Sequence, residues 1–127
     1  MKISEMQPHE AEYHLIKAIG VKEFVREFKI DVPFDDGIVG INDGYCYLSL
    51  EDDTKRSGML IINPAKEYGV IFKLIEKHKM YIDFYNDSWE CQLKSSTNFF
   101  VFRDENLINA IIKTALSSFY PSGEIND

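Results

Sequence analysis

At 127 residues the chain has room for one domain, since domains run to about 100–200 residues, and a two-domain enzyme is excluded. Its 45% apolar and 28% charged residues are those of an ordinary globular protein, able to bury a core without a disulfide or metal staple. Twenty-one acidic against fourteen basic residues leave a net charge of −7, which weighs against nucleic acid and anionic lipid as direct partners.

The opening Met1-Lys2-Ile3-Ser4-Glu5 has no apolar leader, and no apolar run approaches the ~18 residues of a membrane span. The expected location is the cytoplasm, with no membrane partner. Pro8 suits the first turn of a helix, with Ser4 or Gln7 as its cap and Gly20 as its stop. Ala11, Leu15, Ala18 and Ile19 form its apolar stripe. Val21, Phe24, Val25 and Phe28 repeat that spacing, predicting a short second helix or a continuation.

The segment 31–36 contains Pro33 and three acids, Asp31, Asp35 and Asp36, which predicts a loop. Ile38 to Ile41 and Tyr45 to Leu50 then flank Asn42-Asp43-Gly44, residues that tolerate the positive φ of a hairpin turn. A polar loop over 51–58 leads to a third strand, Met59 to Ile62, and Val70, Leu74 and Ile75 predict a helix over 66–77 that Gly69 weakens. After Lys79 the period changes to two. Met80 to Tyr85, Trp89 to Leu93 and Asn98 to Phe102 are predicted strands, with turn chemistry at Asn86-Asp87-Ser88. Asp104 is the expected cap of a last helix, 105–120, which buries Leu107, Ile108, Ile111, Ile112, Ala115 and Leu116.

Strand runs joined by short turns imply an α+β fold: a mainly antiparallel sheet of about five or six strands covered by three or four helices, like an α/β/α sandwich. The chain reads as a single domain, 1–127, with 122–127 as a flexible tail. An uncovered sheet edge would permit a homodimer.

Catalytic and metal chemistry find little support in the residues. There is no GxSxG elbow or phosphate-cradling glycine loop, and His9, His14 and His78 lack a zinc-ligand spacing. Cys46 and Cys91 lie in alternating segments as expected buried thiols, although sequence leaves a disulfide between them open. No catalytic residue, metal or cofactor is therefore expected. The features that remain are surface ones. Asp35, Asp36, Asp43, Glu51, Asp52 and Asp53 form acidic loops, and Tyr68 is one of several amphipathic rings of the type enriched at interfaces. Such carboxylates complement a protein partner with a basic surface, though solubility accounts for the same charge.

Three stretches resemble a known family. Met1-Lys2-Ile3-Ser4-Glu5-Met6 is followed by Tyr13, Lys17 and Gly20; Asn63-Pro64-Ala65-Lys66-Glu67-Tyr68 precedes Ile75-Glu76 and Trp89; and Asn106 to Lys113 leads to Ser117-Ser118-Phe119 and Glu124-Ile125. Together they resemble, over roughly the full chain, small phage proteins of the NinX-like type, linked with the phage ABA-sandwich domain. Tyr13 and Tyr68 stand where that family has tryptophans, and Ala65 stands for a serine. The resemblance implies a sheet between helices and a phage or prophage origin; it brings no reaction.

The expected function is that of a small accessory protein, phage- or prophage-encoded, that binds and inhibits a host protein without chemistry, in an anti-defence or anti-CRISPR-like role. An immunity protein that neutralises a bacterial toxin is the alternative, and a small-molecule or nucleotide-binding protein the second.

Overall fold

The computed structural model describes residues 1–33, 35–51, 60–62, 69–94 and 99–126. Helix α1 (Pro8–Ile19) begins after Gln7, whose backbone N–H donates to Glu10 Oε1 at 2.9 Å, with Pro8 supplying a first turn that needs no N–H. Gly20 adopts φ +94° and redirects the chain into α2 (Val21–Glu27), which buries Phe24 and Val25. β1 (Asp36–Asn42) and β2 (Tyr45–Glu51) form a hairpin across Asp43-Gly44, with φ of +50° and +78°. β3 (Leu60–Ile62) continues this sheet in the order β1-β2-β3.

Helix α3 (Val70–His78) starts only after Gly69, which takes φ +66°; positions 66–68 of the longer predicted helix lie outside the described residues. A second meander follows: β4 (Tyr81–Tyr85), β5 (Ser88–Lys94) and β6 (Phe99–Asp104), in that spatial order. The last helix, α4 (Leu107–Ser117), is capped by Asn106, which accepts from Asn109 N at 3.0 Å, and not by Asp104. Asp104 stays at the end of β6 and accepts from Asn106 N at 2.8 Å.

The fold is α+β, and every strand pairing is antiparallel. The strands do not merge into the one sheet expected. They form two three-stranded sheets, because each is a local meander of neighbours in sequence and α3 intervenes between them. Helix α1 packs on β1 and β2, α4 packs on β5 and β6, and α1 and α4 pack on each other. Helices α1 and α4 thus lie between the two sheets, where a sheet between helices was expected. This explains why all nine residues from Asn109 to Ser117 are buried: α4 is covered on several sides.

The tail expected to be flexible is tied down. Lys2 bridges Glu124, Ile3 N donates to Gly123 O at 2.9 Å, Ile125 N donates to Met1 O at 3.0 Å, and Ile125 is buried. Its one large apolar side chain finds the core, which a reading of the segment as polar overlooks.

Candidate functional site

The β1–β2 register builds a carboxylate cluster at the open end of the first hairpin. Asp36 lies opposite Glu51, both exposed, and Asp35 immediately precedes the strand. Opposed like charges on a sheet repel. Asp35 is held by Arg26 of α2, whose Nε donates to Asp35 Oδ2 at 3.0 Å, while Asp36 Oδ1 accepts from Gly37 N at 2.8 Å. Asp43 is in the turn at the other end of the hairpin, about 20 Å away for strands of this length. Three of the expected acidic residues are brought together and the fourth is not. Asp52, Asp53 and Tyr68 lie outside the described residues.

The two residues that the family resemblance singles out and the structure describes serve packing. Tyr13 is half-buried, edge-on to His14 with centroids 5.2 Å apart, and Trp89 is half-buried against Phe84 at 4.8 Å.

A second exposed surface, not anticipated from the sequence, covers the outer face of β4-β5-β6. Tyr85 OH donates to Glu90 Oε1 at 3.1 Å, and Gln92 Nε2 donates to Glu90 Oε2 at 3.0 Å. The Arg103 guanidinium lies 4.4 Å from the Tyr85 ring centroid and donates to Tyr85 O at 3.0 Å. Hydrogen bonding to Glu90 pushes the Tyr85 hydroxyl above its usual pKa. The only earlier signal was the alternation of Tyr81, Asp83 and Tyr85, which marks a strand but not which side stays uncovered.

Between the end of α2 and α3 opens a cleft of about 480 Å³, lined in part by Lys73, Lys77 and Glu27. Two of its lysines are engaged: Lys73 donates to Phe28 O and Lys77 pairs with Glu27. Burial, then the Lys77 charge, holds the neighbouring His78 below the usual imidazole pKa. Both cysteines are free and buried. Burial pushes both thiols up, and the Glu12 carboxylate adds to the effect at Cys46, so neither is a ready thiolate at neutral pH. Among the described residues, no group of three or more His, Cys, Asp or Glu is arranged to hold a metal ion, and no helix is long and apolar enough to cross a membrane.

No protein-family model matches the chain, and no curated protein matches it significantly.

Proposed function

We propose that this chain acts by binding another protein through the carboxylate end of its first hairpin, and that the partner offers a basic surface. The observation that carries this reading is the opposition of Asp36 and Glu51 on a solvent-exposed sheet end. Their repulsion is a cost in the free protein that a cation of the partner relieves, so binding gains where folding loses. Net charge of −7 steers a basic partner toward the molecule and favours association at low salt. The resemblance described above supplies the biological setting: a phage or prophage accessory protein that inhibits a host protein by occupying its surface.

The test is affinity capture from bacterial lysate, comparing the natural chain with the double variant Asp36→Asn/Glu51→Gln at low and high salt. The expected result is a basic protein retained by the natural chain at low salt and lost with the variant. Identical captured sets for the two chains contradict the reading.

A further inference from the structure

Strand β6 is an outer strand with a self-complementary sequence. It pairs with β5 on one side, and no strand lies along its other edge among the described residues. Its outward-facing residues are Phe99, Val101 and Arg103, with Val101 central, and Phe99 is 60% exposed. An apolar, unpaired edge is a template for another strand.

Opposite residues of an antiparallel ladder share a face, so a two-fold axis through Val101 fixes the whole register. Val101 meets Val101 of the second copy, Phe99 meets Arg103, and Phe100 meets Phe102. Each guanidinium then reaches a phenyl ring, twice by symmetry, in the type of contact Arg103 already makes with Tyr85. The same construction on the opposite edge strand, about the central residue of β4, sets two Asp83 carboxylates against each other. On the inner side, Phe100 of the second copy arrives beside Phe102. There a cleft of about 240 Å³ separates Phe102 from the Lys2–Glu124 bridge.

We infer that the chain associates with a second copy of itself edge to edge along β6, forming a continuous six-stranded sheet centred on Val101. The pair carries two acidic hairpin ends, and therefore engages a multivalent basic partner with avidity. The dimer does not depend on the proposed partner, and Asp36→Asn/Glu51→Gln leaves it intact.

Sedimentation equilibrium of the full chain over about a hundred-fold range of concentration reads the dimer by mass action. The natural chain is expected to move from monomer toward twice that mass. Phe99→Glu exchanges each phenyl–guanidinium contact for a carboxylate opposite Arg103, of similar size, so this variant is expected to dimerise within about tenfold of the natural chain. Phe99→Lys opposes two cations and gives a monomer, as does Val101→Asp, with circular dichroism confirming that each variant is folded. Because Phe99 also sits opposite Lys94 within the sheet, Val101→Asp decides if Phe99→Lys fails to fold; the Phe99→Glu result decides if both do. A natural chain that stays monomeric throughout, a Phe99→Glu chain that is as monomeric as Phe99→Lys, or dimers that survive both disruptive substitutions overturn the inference.

Discussion

The Tyr47 ring lies across Gly40 on the facing strand, so close that a Cβ at position 40 would sit 2.5 Å from the phenol. The aromatic covers backbone that the glycine leaves bare. Gly40→Ala forces the ring aside and is expected to cost about 1–2 kcal/mol, within the usual range for overpacking. In a Tyr47→Ala background the same change is expected to be neutral or stabilising, and a double-mutant cycle by urea denaturation reads the coupling. Gly37→Ala is expected to cost more, about 3 kcal/mol, because its Cβ would meet the Ser49 carbonyl oxygen at 2.0 Å, and backbone cannot swing away.

Lys113 is buried, donates to Ser4 O at 3.0 Å and lies 3.8 Å from Asp104 Oδ2. Lys113→Met keeps the aliphatic stem and removes the donor. It is expected to lower the unfolding free energy by about 1 kcal/mol, the net worth of an ordinary hydrogen bond, because Ser4 is exposed and water can take the place of the lost donor. Urea unfolding that matches the natural chain would show that the contact contributes nothing.

Both thiols have raised pKa values in the folded state, so folding retains protons that the unfolded chain releases. Their contribution is complete below the unfolded thiol value of about 8.5 and declines as pH rises above it. Melting temperature is expected to fall between about pH 8 and 9.5, and less steeply in Cys46→Ala. A thiol-specific reagent at pH 8 is expected to label neither cysteine until the chain unfolds.

Much of the local structure was legible in the sequence. Pro8 and Gly20 bound α1 as expected, and the turns at Asp43-Gly44 and Asn86-Asp87 both use positive φ. What sequence periodicity could not convey was a second packing face. Glu12 reads as a solvent-side residue of α1 yet is buried, because α1 packs on both α4 and the first sheet. Asn109, Lys113, Thr114 and Ser117 are buried for the same reason. Thr114, for example, is satisfied within the chain by donating to Ala110 O at 2.7 Å.

The acidic site was legible as composition but not as geometry. A three-residue turn, Asn42-Asp43-Gly44, shifts the hairpin register by one position from the two-residue turn observed. That shift places Asp36 opposite Leu50 instead of Glu51, and a slip of one residue exchanges the faces of a strand. The carboxylate pair therefore depends on Asn42 being the last residue of β1.

The central claim is that cations are recognised at the Asp36–Glu51 end and not by acidity spread over the surface. Titration of the isotopically labelled chain with a lysine decapeptide, followed by amide chemical shifts, tests it directly. The account predicts saturable shifts at Asp35, Asp36 and Glu51, with little change at Asp43 and their loss in Asp36→Asn/Glu51→Gln. Uniform, non-saturating shifts at every exposed carboxylate, Asp43 included, would contradict it.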